Sequence, residues 1–371
     1  GETLIERALK SLDKLGLSRI VIVIGYEGQK LKDFIGTLPV KTPVVYIDNQ
    51  IYYKTNNIYS LYMAKDYLVQ EDTLLLESDL IFEEAVLKKL VENPYPSLAL
   101  VAKYESWMDG TVAVLDEEDN ILDFIGKKNF RFADRDKYYK TVNIYKFSRE
   151  FSATHYVPFL EAYCKALGNN EYYEQVLKVI SILDRPLIKA LRLEGEVWYE
   201  IDDEQDLDIA ESLFAEGEVK LRKISSRYGG YWRYPHLKDF CYLVNPFYPG
   251  EKLIEELKAS FTELLVNYPS GMAVNSLVAA KYFGLKREQV CVGNGAAELI
   301  KLLTEMIPGR MGCVYPTFEE YPNRKKEELE PFMAQAPDFS YTADGLMEYF
   351  ESRDISMLVL VNPDNPSGNF I

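Results

Sequence analysis

Hydrophobic and polar positions change rhythm repeatedly along the first part of the chain. ETLIERALKSLDKLG places Leu4, Ile5, Ala8, Leu9, Leu12 and Leu15 at helical spacing, and Gly16 is suited to closing that helix. RIVIVIGY (19–26) is a continuous apolar run, the pattern of a strand buried on both faces. A helix near 28–35, a short strand PVVYI (43–47) and an amphipathic helix TNNIYSLYMAKDYL (55–68) follow. Thr55 or Asn56 can cap that last helix. DTLLLESDLIF (72–82) reads as one buried strand, 83–92 as a helix and SLALVAKY (97–104) as the next strand. Such a βαβαβ series predicts a mostly parallel sheet with helices on both faces.

The rhythm then shifts. Between 105 and 147, two short strands around an acidic turn (TVAVLDEEDNILDFI) and the strand YYKTVNIYKFS form a β-rich insert. Helices near 149–167 and 171–183 lead to a strand at 197–201 and a helix at 203–214. Residues 218–240 interrupt the series with Gly229, Gly230, five aromatics between 228 and 240, and a cluster of Arg and Lys. They read as a linker and docking arm between a first domain, 1–217, and a second, 241–371. The second is again α/β, with helices at 251–265 and 272–283 and strands near 311–315 and 356–361. The chain opens without Met inside an amphipathic run and stops in LVLVNPDNPSGNFI, one strand and one turn. Both ends therefore read as cut from a longer protein.

Composition narrows the function classes. With 371 residues, 47% of them hydrophobic and 27% charged, the chain is globular and long enough for two or three domains. A net charge of −16 argues against a nonspecific coat on nucleic acid or anionic membrane, while leaving room for a local phosphate site. Cys164, Cys241, Cys291 and Cys313 are widely spaced, which fits a reducing compartment better than a disulfide framework or a thiolate metal site. No signal peptide opens the chain and no apolar run reaches 18 residues, so the expectation is a cytoplasmic protein without a membrane span.

Candidate chemistry in the first domain centres on two carboxylates. Asp79 follows the apolar run LLLES, and ligands of open α/β sheets bind at the carboxyl ends of strands. A carboxylate there can hold Mg²⁺, although Asp79 can equally cap a helix over 81–91. Asp202 in WYEIDDEQDLDIA also stands where a strand runs into acid before a helix, and Asp202 or Asp203 can cap that helix. The amides of TNNIYSLY can read the edge of a ligand, with capping a sufficient account of one of them.

These phrases, together with ETLIERAL, IVIVIGY, LLLESDLIF and YKTVNIYKFS, resemble the nucleotidyltransferases of the sugar-nucleotide and choline-phosphate cytidylyltransferase kind. That resemblance implies a Rossmann-type mixed sheet and transfer of CMP from CTP, or of another nucleotide from its NTP, to a small phosphate or phosphonate acceptor with release of pyrophosphate. It implies Mg²⁺ on Asp79 and Asp202, and Asn56, Asn57 and Ser60 on the nucleotide side. The family opens with a strand and a Gly-rich loop bearing basic residues that grip the triphosphate. Here the chain begins after them.

In the second domain, VGNGAAELIKLL sets glycines and small residues at a helix start, where free N–H groups and the helix dipole suit a phosphate. A tight strand-to-helix turn is the simpler account of that phrase alone. Phe318 in YPTFEEYP can stack on a ring, and NPDNPSG (362–368) is a turn made rigid by its prolines whose Asn365 can face a ligand. With LVNPFYPG and NYPSGMAVNSLVAAKYFGL, these phrases resemble fold-type I pyridoxal 5'-phosphate (PLP) enzymes, in the branch of histidinol-phosphate aminotransferase and threonine-phosphate decarboxylase. Carried over, Gly295, Ala296 and Ala297 approach the PLP phosphate, Phe318 stacks on the pyridine, Asn365 bonds its 3-oxygen and Asn245 lies near the substrate. The family's Schiff-base lysine lies downstream of such a turn, so the resemblance implies only part of a PLP domain here. It also implies an amino-group donor as substrate and a homodimer formed through this domain.

The combined expectation is a cytidylyltransferase fused to a PLP-dependent aminotransferase, with parts of both sites lying beyond the chain. The alternatives are a sugar-1-phosphate nucleotidyltransferase using UTP joined to a phospho-amino-acid decarboxylase, and a non-catalytic regulatory protein in which Asp79 and Asp202 are only caps.

Overall fold

The computed structural model describes residues 2–183, 187–234, 237–240 and 244–371. Cys241 and Leu243, the latter opening the LVNPFYPG phrase, lie outside the described residues. Two compact units make up the chain, Gly1–Val244 and Asn245–Ile371. Residues read from sequence as a linker include a helix, Gly217–Ser225, whose Ile224 is buried. Beyond it, Arg227 bonds Asp208 and Ser212, which attaches this stretch to the first unit.

Among the described residues, the first unit holds ten strands. β1 (Ile20–Ile24) and β2 (Val44–Asp48) pair in parallel, Ile20 opposite Val44, and form a sheet of their own. Leu9 of the helix Leu4–Asp13, Ile20 and Ile35 close the core beneath it, as the amphipathic spacing predicts. A second, six-stranded sheet contains β3 (Thr73–Leu76), β5 (Leu98–Lys103), β6 (Val112–Leu115), β7 (Ile121–Ile125), β8 (Tyr138–Phe147) and β9 (Lys189–Arg192). Its order is β7-β6-β8-β5-β9, with β3 also paired to β8. β4 (Leu80–Phe82) and β10 (Trp198–Glu200) form a separate antiparallel ribbon.

Two expectations need correction here. The six-stranded sheet is mixed rather than mostly parallel, because β8 returns from the insert antiparallel to β3, β5 and β6, and among the described pairings of this sheet only β5 with β9 is parallel. Residues 72–82 are two strands, not one. Ser78 and Asp79 form a turn, after which β4 leaves the sheet to pair with β10. The polar trio Glu77-Ser78-Asp79 marks the break, since a strand buried on both faces cannot carry two carboxylates one residue apart without partners.

In the second unit β11 (Met311–Tyr315), β12 (Leu329–Met333) and β13 (Met357–Val359) form a parallel sheet in the order β12-β11-β13. The helix Ala343–Glu351 packs Leu346 and Phe350 against Val314 and Ala334. β12 escapes the apolar pattern because LEPFM carries Glu330 and Pro331, which an edge strand tolerates. The helices Glu251–Val266 and Met272–Phe283 match their sequence spacing. Among the described residues no helix is long and apolar enough to cross a membrane.

Candidate functional site: a carboxylate-lined cavity in the first unit

β8 builds the floor of the site. Its N-terminal half pairs with β6 (Val112 opposite Lys140) and its C-terminal half with β3 (Leu76 opposite Ile144) along the same edge. At the handover stands Asn143, with φ 60°, a left-handed conformation inside a strand. The β5–β8 register shifts in the same place, between Ala99 and Val101. This bulge turns the Asn143 amide inward, where its Nδ2 donates to Glu77 Oε2 at 3.0 Å and Glu200 Oε1 at 2.8 Å. The Asn143 backbone carbonyl accepts from the Glu77 N–H at 3.3 Å.

The β4–β10 ribbon brings in the second set of acids. Glu200 lies opposite Leu80, and the Ile201 N–H donates to the Asp79 carbonyl at 3.0 Å. Glu77, Asp79 and Glu200 each present a carboxylate oxygen, and these oxygens lie within 4.8 Å of one another. Lys140, 1% exposed, approaches Glu200 Oε2 at 3.0 Å and donates to the Thr141 carbonyl at 2.8 Å. Gly110 makes room for it: φ is 89°, and a Cβ there would stand 3.3 Å from the Lys140 Nζ.

Electrostatics follow from crowding. Burial, then the charges of Glu174 and Asp79, push Glu77 up to about 8. Burial likewise raises Asp79, with Asp202 adding to the effect, and raises Glu200 against the opposing pull of Lys140. Asp79 Oδ1 is buried and accepts no hydrogen bond. Several hard oxygen donors around an orphaned carboxylate oxygen are the donor set of a divalent cation such as Mg²⁺, so these residues fit that ion.

A cavity of about 1170 Å³ contains this cluster. Asp79 and Asp202 both line it, as do Asn56, Asn57 and Ser60. Asp79 caps no helix: β4 intervenes, and the helix Glu84–Glu92 is preceded by Glu83. Asp203 rather than Asp202 caps the next helix, accepting from the N–H groups of Gln205 and Asp206 at 2.8 and 2.9 Å. Asp202 is thereby left facing the cavity. Asn56 caps Asn57–Met63 through its side-chain oxygen, and Asn57 ties Glu77 Oε1 (3.0 Å) to the Tyr173 N–H (3.0 Å). Ser60 accepts weakly from Asn49 at 3.5 Å. Sequence reading missed Glu77, Lys140, Asn143, Glu174 and Glu200. The available signal was their polarity inside otherwise apolar strands and at the start of a helix.

In the second unit the expected residues sit in four separate segments. Gly295 precedes the helix Ala296–Met306 with φ 83°, and Ala296 and Ala297 are exposed in its first turn. The Glu298 carboxylate already accepts from the Asn294 N–H, so one donor near that helix start is occupied. Phe318 follows β11 and meets Tyr321 edge-on at 6.2 Å, while Asn365 follows β13. β11 and β13 are parallel neighbours, so both loops leave the same end of the sheet. Asn245 accepts from the Phe247 N–H at 3.0 Å in a local turn. Lys325 is not available as a cofactor lysine, because its Nζ bonds the Gly309 carbonyl and Glu328.

No family model matches the chain. It is 28% identical to CMP-5'-(3-aminopropyl)phosphonate synthase of Streptomyces rubellomurinus across 99% of its own length and 58% of that protein's. It is 29% identical to L-serine phosphate decarboxylase of Sulfurospirillum multivorans over 36% of each chain. Its C-terminal region weakly resembles aminotransferase sequences, histidinol-phosphate aminotransferases among them. Among solved structures, CTP:phosphocholine cytidylyltransferase of Streptococcus pneumoniae superposes with a TM-score of 0.45 at 22% identity, over 57% of this chain and 85% of the other. The chain thus spans 58% and 36% of the lengths of the two curated relatives. The chain itself is mixed α/β, and its C-terminal region is the part that weakly resembles aminotransferase sequences.

Proposed function

We propose that the first unit transfers CMP from CTP to a small phosphate or phosphonate acceptor, and that the second belongs to a PLP-dependent aminotransferase or phospho-amino-acid decarboxylase of the histidinol-phosphate aminotransferase branch. The observation that carries the first reading is the convergence of Glu77, Asp79 and Glu200 within 4.8 Å around the orphaned Asp79 oxygen. The likeness to the S. rubellomurinus synthase along 99% of this chain supports a phosphonate acceptor and the fusion itself. A cytoplasmic setting is part of the same proposal.

In the reaction, an acceptor oxygen forms a bond to the α-phosphorus of the nucleotide, and the bond from that phosphorus to the β-phosphoryl oxygen breaks, so pyrophosphate leaves with the electron pair. Asp79 and Asp202, aided by Glu200, would hold Mg²⁺, which when bound would supply positive charge to the phosphoryl oxygens. Lys140 keeps Glu200 oriented through their 3.0 Å contact. Asn143 and Asn57 fix Glu77, and Lys128, which lines the cavity, offers positive charge to phosphate groups, whereas Lys127 is paired with Asp109 at 2.6 Å. In the second unit the first turn of Ala296–Met306 would hold the PLP phosphate, with Phe318 and Asn365 at the ring. PLP when bound supplies the electron sink for amine chemistry.

The test is pyrophosphate release with Mg²⁺, an alkylphosphonate and each NTP in turn, from this chain and from one joined to the strand and Gly-rich loop with which the resembled family opens. Release with CTP that disappears on chelation supports the reading. Equal release with UTP and a sugar 1-phosphate redirects it, and no nucleotide-dependent release with any acceptor counts against it.

A further inference from the structure

Asp79 and Glu200 are partly buried, but Asp202 is exposed and stands on the short link, residues 201–203, between β10 and the helix Glu204–Leu213. An exposed side chain on such a link has little packing to set its direction, so its aim depends on how the backbone beneath it is held. Two bonds hold that backbone. The Ile201 N–H donates to the Asp79 carbonyl at 3.0 Å, and the Asp202 N–H donates to Asp206 Oδ2 at 3.2 Å.

Asp206 is itself fixed from two directions. Its other oxygen, Oδ1, accepts from the Tyr199 hydroxyl at 3.1 Å. Tyr199 is 2% exposed, buries itself with Ile209 and Ala210 of the same helix, and stacks on Trp107 with ring centroids 4.8 Å apart. The Asp206 N–H donates to the Asp203 carboxylate at 2.9 Å, within the cap that starts the helix. In an ordinary capping box the third helical residue reaches back to the N–H of the cap residue. Here it reaches one residue further, to Asp202, and takes a buried phenol as its second partner. A helix start already capped by Asp203 has no need of that arrangement, whereas an exposed metal ligand does, because outer groups that orient a ligand set much of a site's affinity.

We propose that Asp206 is a positioning residue: its carboxylate staples the end of β10 to the first turn of the next helix and so aims Asp202 at the cation. Among the described residues Asp206 lines no part of the cavity, so its effect passes through Asp202. The inference rests on the reading of Asp202 as a cation ligand and adds the residue that holds it in place.

Mn²⁺ titration of the full chain, followed by the electron paramagnetic resonance of the free ion, tests this without calling on turnover. Asp202→Asn measures what Asp202 itself contributes. Asp206→Ala should weaken Mn²⁺ binding on the order of tenfold. Asp206→Asn should stay within about threefold of wild type, because its amide oxygen accepts from the Asp202 N–H while its amide nitrogen donates to the Tyr199 oxygen. Both substitutions remove the same charge, so a loss confined to alanine belongs to the hydrogen bonds. Once Asp202→Asn is present, adding Asp206→Ala should change the affinity by less than about twofold. Asp203→Ala loosens the same helix start and should lower the urea midpoint, yet leave Mn²⁺ affinity within about twofold. If Asp206→Ala fails to fold, Tyr199→Phe serves in its place: it frees one end of the staple and should weaken Mn²⁺ binding about threefold, again only while Asp202 is intact. Unchanged affinity in Asp206→Ala, equal losses from Asp203→Ala and Asp206→Ala, or an undiminished loss when Asp202 is already gone would make Asp206 a helix-stabilising residue only. Any of these overturns the proposal and leaves the cation reading standing. Wild type that binds no Mn²⁺, or binds it no better than Asp202→Asn, overturns the role of Asp202 and this proposal with it.

Discussion

At the scale of single residues, the account turns on which carboxylates hold a ligand and which merely cap. Asp202 and Asp203 are adjacent, yet only Asp203 accepts from the N–H groups that start the next helix. Asp203→Ala should lower stability by about 0.5–2 kcal/mol, the usual loss for an N-cap, and leave the Mg²⁺ requirement of pyrophosphate release intact. Asp202→Asn should do the reverse: little change in urea denaturation, with release reduced on the order of 100-fold or more. Glu77 gives a second test. Its folded pKa of about 8 stands above the ordinary 4.5, so the folded protein keeps a proton that the unfolded chain has lost between those values. The stability that Glu77 contributes should then be fullest below about pH 4.5 and be lost as pH rises toward 8. The melting temperature of the ligand-free protein should show that decline, and Glu77→Gln should flatten it. A melting profile with the same slope in the variant would remove Glu77 as its source.

At the scale of elements, the site exists because one strand changes partner. β8 pairs with β6 and then with β3, and the bulge at Asn143 fills the changeover. Both Asn143→Ala and Asn143→Gly lose the bonds to Glu77 and Glu200, but only glycine adopts φ 60° without strain. The alanine variant should accordingly be the less stable of the two by about 1 kcal/mol in equilibrium unfolding. Most elements were legible in the sequence. The helices of the second unit and the apolar runs of β1, β5 and β11 carry their own periodicity. Less legible was pairing. Nothing in YYKTVNIYKFS says that its two halves serve different neighbours, and Glu77 fell inside a stretch that reads as one strand. Asp79 and Asp202 were visible because each follows an apolar run. Glu174 was not, because an acid in the first turn of a helix is ordinary dipole chemistry.

At the scale of the whole molecule, two compact units share one chain, and the candidate cavity belongs to the first. A ligand that binds only one folded unit raises that unit's stability by mass action. Mg²⁺ with CTP should therefore shift one calorimetric transition upward and leave another unmoved. A uniform shift of all transitions would mean that the units unfold as one. The central claim is that Asp79 and its neighbours hold a divalent cation for nucleotidyl transfer. Crystals of the full chain grown with Mn²⁺ and CTP, with diffraction recorded at the manganese edge, test it most directly. The account predicts an anomalous peak at coordination distance, roughly 2.0–2.3 Å, from carboxylate oxygens of Asp79 and of Asp202 or Glu200, with triphosphate oxygens completing the shell. Bound CTP with manganese absent from these carboxylates, or manganese held elsewhere in the chain, would contradict it.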